Sequence, residues 1–283
     1  MNATPECVAC MLKQALNTAK VVTDDSALQM QVMQKVKDYS GTVSLDQTPA
    51  QMCKYAYQTV SAVTGATDPY HAIKDTTNRQ ALEQLPFLHR TLDKSSDRLS
   101  TALHMAAAGN VIDFGIQHDF EIERDIEGIL EQKFVIDATD LLRRDLKPGC
   151  NVLYLGDNAG EIVFDTILVA ELIALGARVV YTVKSGPVIN DATMEDAELT
   201  GMTAITKVIK TGADDIGVNW QNVSQEFREH VSRADIIIAK GHGNYETCDD
   251  QPGNYYFLLK SKCEIVANAL GVKLGDLVFK KKR

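Results

Sequence analysis

Asp157, Asn158 and Glu161 fall within the run Gly156-Asp157-Asn158-Ala159-Gly160-Glu161, directly after the apolar stretch 151–155 (NVLYL). Carboxylate and amide oxygens are hard donors and suit Mg²⁺, Mn²⁺ or a similar divalent ion. If 151–155 is a strand and a helix starts after Gly160, free amides at that helix start also favour an anion such as phosphate. A plainer reading is that Asp157 or Asn158 caps the helix, with Glu161 as the acid of a capping box. The run is not a dinucleotide fingerprint: it has too few glycines and lacks a ribose-binding acid about 20 residues on.

Two further strand ends carry chemistry. The apolar run 177–183 leads into Lys184-Ser185-Gly186-Pro187-Val188-Ile189-Asn190-Asp191. Asp191 can complete an oxygen-rich site with Asp157 and Asn158 if the two strands are neighbours; otherwise it caps a helix starting at Ala192, with Glu195 and Asp196 in the first turn. The run 234–239 (ADIIIA) ends in Lys240-Gly241-His242-Gly243-Asn244-Tyr245-Glu246. Two glycines there let backbone approach a ligand. Lys240 is a point charge suited to phosphate oxygens, and Asn244 can donate or accept. Each residue alone has an ordinary structural reading, but three such strand ends converging in space point to a ligand site. An oxygen-only donor set predicts dependence on Mg²⁺, Mn²⁺, Co²⁺ or Ni²⁺.

In the first half, Asn110 and Asp113 stand among small and apolar neighbours, so they are buried and satisfied or line a cleft. Cys7 and Cys10 form a lone CxxC, with Cys53 as a third thiol. Without a second pair this reads as buried thiols rather than zinc ligands or a redox pair. The histidines at 71, 89, 104, 118 and 230 show no ligand spacing.

The elements that must position these groups change character near Pro148-Gly149. Before it, apolar residues recur at helical spacing, as in Val8, Met11, Leu12, Ala15 and Leu16, and no segment upstream of Cys150 reads as a clear strand. After it, apolar strands at 151–155, 177–183, 204–209, 234–239 and 264–267 alternate with helices such as 162–175. That pattern implies a mostly parallel sheet covered on both faces, with ligands at the strands' C-terminal edge. The expected organisation is a helical domain over 1–147 and an α/β domain over 148–283.

The 283 residues carry a net charge of −9, which argues against a nucleic-acid or anionic-membrane surface. The basic run 280–283 reads as a solvated tail. Six cysteines are too sparse for a disulfide scaffold. No apolar run approaches the roughly 18 residues of a membrane span, and the first residues lack a signal-peptide pattern. A cytoplasmic location is expected; the oligomeric state is left open.

Six motifs in order, PECVAC near the start, DPYHAIK at Asp68, AAAGNVIDFG at Ala106, GDNAGE at Gly156, PVINDATMEDA at Pro187 and KGHGNYE at Lys240, cover nearly the whole chain. Together they resemble the damage-control phosphatase family, the ARMT1-like proteins once known only as a domain of unknown function, and above all its prokaryotic branch. The resemblance implies a helical domain on a Rossmann-like three-layer α/β/α domain and metal-dependent hydrolysis of small phosphate esters, such as sugar phosphates or damaged phosphometabolites. By motif, Asp157, Asn158 and Asp191 look like metal ligands. Asn110, Glu161 and Lys240, with Gly241 and Asn244, look like phosphate and substrate contacts, and Asp157 and Lys240 like the catalytic pair. His242 stands where many relatives are expected to carry glutamine. Two rival readings are a small-molecule methyltransferase, poorly served by GDNAGE, and a non-catalytic metabolite sensor, which turnover of any phosphate ester would exclude.

Overall fold

The structure, a computed structural model, describes residues 1–110 and 119–282, with the backbone alone described for 119–121. Asp113 and the rest of 111–115 lie outside the described residues. Helices α1 (Pro5–Val22), α2 (Ser26–Ser40) and α3 (Pro49–Thr64) pack on one another through Met11, Ala15 and Ala19, Val32 and Val36, and Met52, Ala56 and Val60. The four-residue steps place each set on one helix face. Thr4 and Thr48 open α1 and α3 with a proline directly behind them, and Gly65 closes α3 in the left-handed conformation at φ 77°.

Among the described residues the strands form one sheet in the order β1 (Ile136–Asp137), β7 (Leu277–Lys281), β6 (Tyr255–Lys260), β5 (Ile236–Lys240), β2 (Asn151–Leu155), β3 (Arg178–Val183), β4 (Lys207–Lys210). Pairing is parallel from β4 to β6; β7 runs antiparallel to β6, and β1 parallel to β7. Successive strand residues sort to opposite faces. Val152 and Tyr154 join one core with α4 (His71–Glu83), α5 (Leu85–Lys94), α6 (Arg98–Gly109), α7 (Asp119–Leu130), α8 (Thr139–Asp145), α9 (Glu161–Ala174), α10 (Met194–Leu199) and α11 (Met202–Ile205). Leu153 and Leu155 join the other, with α12 (Gln225–Arg233), α13 (Gly241–Cys248) and α14 (Glu264–Leu270). Burial on both faces is why these strands read as continuous apolar runs.

Several expectations need correction. Ala204 and Ile205 belong to α11, and the strand begins only at Lys207. The run at 264–267 is helical: Val266, Ala267 and Leu270 are its buried face, and Gly271 closes it at φ 73°. A strand does lie upstream of Cys150, because the short β1 borrows its ladder from β7. The segment 241–248 is a helix rather than a loop.

Chain order reverses at β2, whose neighbours are β3 on one side and β5 on the other. Loops leaving their C-terminal ends diverge to opposite faces, opening the crevice in which such sheets bind ligands.

Candidate active site

The loops after β2 and β3 are zipped together. Ala192 N–H donates to Asp157 O at 2.8 Å and Ala159 N–H to Asn190 O at 2.8 Å, so Asn158 and Asp191 face each other in an isolated antiparallel bridge. Asp157, Asn158 and Asp191 therefore meet, as their strand positions suggested. None of them caps a helix. Gly160, at φ 76°, is the N-cap of α9, and its N–H donates at 2.7 Å to Asn78 Oδ1 from α4. Glu161 is the first residue of α9, not a capping-box acid, and α10 is capped by Thr193 with Asp196.

Asn110 closes α6 and reaches the same point. The small residues of Ala106-Ala107-Ala108-Gly109 let α6 press on α9; a Cβ at Gly109 would stand 3.1 Å from Glu161 Cα. Asn110 Nδ2 donates to Glu161 Oε2 at 2.7 Å and Asp157 Oδ2 at 3.1 Å. Asn158 Nδ2 donates to the same two oxygens, at 3.2 and 2.9 Å. With its nitrogen so engaged, Asn158 has Oδ1 left to face a ligand. Gly241, at φ 75°, completes the cradle: a Cβ there would overlap Asp157 Oδ2. A glycine is required on both counts.

Lys240 is not placed as expected. It is fully buried, with Nζ 2.6 Å from Glu161 Oε1, 2.6 Å from Asp165 Oδ1 and 2.8 Å from Ala106 O. The ammonium donates to Asp165 and to Ala106 O and pairs by charge with Glu161, so its contacts are spent beneath the site. Asp165 also accepts from Tyr154 OH at 2.6 Å and Tyr181 OH at 2.8 Å. Tyr181 reaches this point because Gly156 lacks a Cβ that would overlap its hydroxyl. Asn244 likewise turns away from the crevice, donating to Lys240 O at 2.8 Å and Gly156 O at 3.1 Å, so it fastens α13 to the ends of β5 and β2.

Electrostatics separate the carboxylates. Burial pushes Asp157 well above the ordinary carboxylate range, and the Glu161 and Asp191 charges push it further. Burial also pushes Asp191 up to about 6 against the pull of Lys184, whose Nζ is 3.4 Å from Asp191 Oδ2. Burial opposes ionisation of Glu161, but the Lys240 charge and the Asn110 hydrogen bond hold it below the usual range. Asn110 Oδ1 is a buried acceptor with no hydrogen-bond partner among the described residues, whereas Asp191 Oδ2 has the Lys184 ammonium beside it. Repelling carboxylates, the unpartnered Asn110 oxygen and a cradle shaped around Asp157 are surroundings that suit a hard divalent cation. Among the described residues no three His, Cys, Asp or Glu side chains cluster to hold a metal, so such an ion would rest on Asp157, Asp191 and the Asn158 amide.

Sequence reasoning missed Lys184, Asp165 and Lys262. Exposed Lys262 follows β6; its charge favours ionisation of Asp157 and Glu161. Its backbone N–H donates to His242 Nε2 at 2.9 Å, and burial with the Lys262 charge pushes His242 down to about 4, keeping it neutral. Asp165 had a signal in the sequence: Glu161 and Asp165 are acids four residues apart in a mostly apolar helix, a pair that must find a cation. The six cysteines are all free, and Cys7, Cys10, Cys53 and Cys263 line one cleft.

The damage-control phosphatase ARMT1-like domain matches residues 3–278. The chain belongs to that family. It is 34% identical to a damage-control phosphatase of Archaeoglobus fulgidus, covering 99% of each chain. It is 34% identical to damage-control phosphatase PH1575 of Pyrococcus horikoshii, over 98% of this chain and 97% of that one. A protein of Methanocaldococcus jannaschii, MJ0202, is 36% identical over 98% of this chain and 95% of its own length. The crystal structure of the P. horikoshii DUF89-family protein superposes with a TM-score of 0.94 at 33% identity, covering all of both chains. Among the described residues no helix is long and apolar enough to cross a membrane.

Proposed function

We propose that this protein hydrolyses small phosphate monoesters with a divalent metal ion held by Asp157, Asn158 and Asp191. The observation that carries the reading is the meeting of two repelling carboxylates and an amide at the switch point of the sheet, beside an Asn110 oxygen with no partner among the described residues. The relatives named damage-control phosphatases support the reaction class. A divalent cation held there supplies positive charge to a phosphoryl oxygen and acidifies water.

The chain's own groups have separate tasks. Lys262, at the mouth of the crevice, offers its ammonium to the phosphate and stabilises charge developing on the phosphoryl oxygens. Glu161, ionised and fixed by Lys240 and Asn110, holds the Asn158 amide so that its oxygen faces the cation. Lys240 acts through Glu161 and Asp165 rather than by touching substrate, which makes it a positioning residue. Asn110 Oδ1, without a partner among the described residues, can accept a hydrogen bond from substrate or water. Attack by water is favoured over an aspartyl-phosphate, because Asp157 as a metal ligand is a poor nucleophile.

The test is inorganic phosphate release from a panel of phosphomonoesters by metal-stripped protein, before and after adding Mg²⁺, Mn²⁺, Co²⁺ or Ni²⁺. Release only after metal addition is expected; equal release by the stripped sample would remove the metal from the account.

A further inference from the structure

Helix α4 turns a polar face inward. Its buried residues are Lys74, Asn78 and Ala81, four and three positions apart and so on one side of the helix. Burying an ammonium and an amide is costly unless each is paired, so hydrophobic packing does not account for this face. Lys74, the last residue of the DPYHAIK motif, has Nζ 2.9 Å from Asp68 Oδ2 and 3.7 Å from Asp196 Oδ2. Asn78 is fully buried and uses both ends of its amide. Its Nδ2 donates to Asp196 Oδ1 at 2.8 Å, and its Oδ1 accepts the Gly160 N–H at 2.7 Å.

Those two partners belong to the two loops that carry the candidate metal ligands. Gly160 follows Asp157 and Asn158 and opens α9. Asp196 accepts from Thr193 N–H and Thr193 Oγ1, both at 2.8 Å, and so fixes the start of α10 just beyond Asp191. One side chain from the helical half of the chain thus ties the Asp157 loop to the Asp191 loop. The backbone bonds from Ala192 N–H to Asp157 O and from Ala159 N–H to Asn190 O join the same loops directly. Without a cation the Asp157 and Asp191 charges repel, which pushes the loops apart. A brace that resists this spreading holds the ligands in place before the cation arrives and lowers the ordering cost of binding.

We propose that Asn78 is a positioning residue for the metal centre: it holds the Asp157 and Asp191 loops at their ligand-binding separation without touching metal or substrate. The proposal rests on the metal-dependent reading of the site and gives the helical half of the chain a part in it. Hydrogen-bond partners that stand behind metal ligands are worth roughly ten- to hundredfold in metal affinity or activity. A residue that merely packed α4 against its neighbours would change stability when replaced and leave the metal affinity of the folded protein unaltered.

The test is calorimetric titration of Mn²⁺ into metal-stripped wild type, Asn78→Ala, Asn78→Asp and the exchange variant Asn78→Asp/Asp196→Asn, with the Tm of each metal-free protein alongside. Asn78→Ala removes both hydrogen bonds, and Asn78→Asp sets two acids against each other, so each should weaken Mn²⁺ binding about tenfold or more. Asn78→Ala adds no charge and carries the test if Asn78→Asp does not fold. In the exchange variant the carboxylate at position 78 still accepts the Gly160 N–H, and the amide at position 196 donates back to it. The oxygen of that amide still accepts from Thr193, net charge is kept, and Lys74 retains Asp68. Its Mn²⁺ affinity should therefore return to within about threefold of wild type, a coupling that independent sites do not show. Wild-type affinity in the folded single variants, whatever their Tm, would overturn the proposal. So would an exchange variant whose Tm recovers while its affinity does not; if that variant does not fold, the single variants decide. Absence of Mn²⁺ binding by wild type would instead overturn the metal reading on which the proposal rests.

Discussion

Replacing Lys240 with methionine keeps most of the side-chain stem and deletes a cation lying 2.6 Å from both Glu161 and Asp165. Neither carboxylate has solvent to turn to, since both are fully buried. Removing one member of a buried ion pair costs about 3–5 kcal/mol, because the remaining charge is left without compensation. Against a typical total stability of 5–15 kcal/mol that is a large fraction. At roughly 2–4 °C per kcal/mol for a chain of this size class, Lys240→Met should lower the Tm of metal-free protein by roughly 6–20 °C. The double variant Lys240→Met/Asp165→Asn removes one positive and one negative charge together, so it should recover a good part of that loss. Thermal unfolding followed by circular dichroism at neutral pH reads both values. If Lys240 instead faced the crevice as a phosphate contact, its removal would spare the Tm and lower kcat on the order of 10²- to 10³-fold. An unchanged Tm with that kinetic loss would refute the buried-positioning role.

Gly241→Ala puts a methyl group into the space of Asp157 Oδ2 at a backbone φ of 75°, so it should weaken metal affinity at least tenfold by calorimetry while the fold survives. Asp157→Asn removes a carboxylate that Glu161 and Asp191 repel, so the metal-free variant should melt above wild type yet lose the Mn²⁺-induced rise in Tm. Burial pushes Glu246 up to about 7 from an ordinary 4.5, so its ionised form is disfavoured in the fold. The stability it contributes is fully present below about 4.5 and lost as pH rises through about 7, worth about 3 kcal/mol at most. Glu246→Gln should therefore flatten the fall of Tm between about pH 4.5 and 8; an unaltered profile would show that Glu246 titrates normally.

The strands at the centre of the sheet were legible because burial on both faces makes them continuous apolar runs, and the polar loops behind β2, β3 and β5 announced the ligand edge. What local pattern could not convey was direction. Every residue of β5 is buried, so nothing in Ile236–Lys240 tells which way Lys240 points; its partners come from α9, some 75 residues earlier. Lys262 was missed for a related reason: with 264–267 read as a strand, the run Tyr255–Lys260 that delivers it was never assigned. The two-residue β1 has no signal of its own, since its ladder belongs to β7. The capping readings of Asp157 and Asp191 failed because Gly160 and Thr193 occupy those positions, so neither carboxylate is spent on a helix start.

The most direct test of the proposed metal centre is calorimetric titration of Mn²⁺ into metal-stripped wild type, Asp157→Asn, Asp191→Asn and Cys10→Ser. Binding of a single ion by wild type and Cys10→Ser, weakened on the order of 10²-fold or lost in both aspartate variants, is the predicted result. Equal affinity across the aspartate variants, or binding lost in Cys10→Ser alone, would contradict an oxygen-ligated centre at the switch point of the sheet.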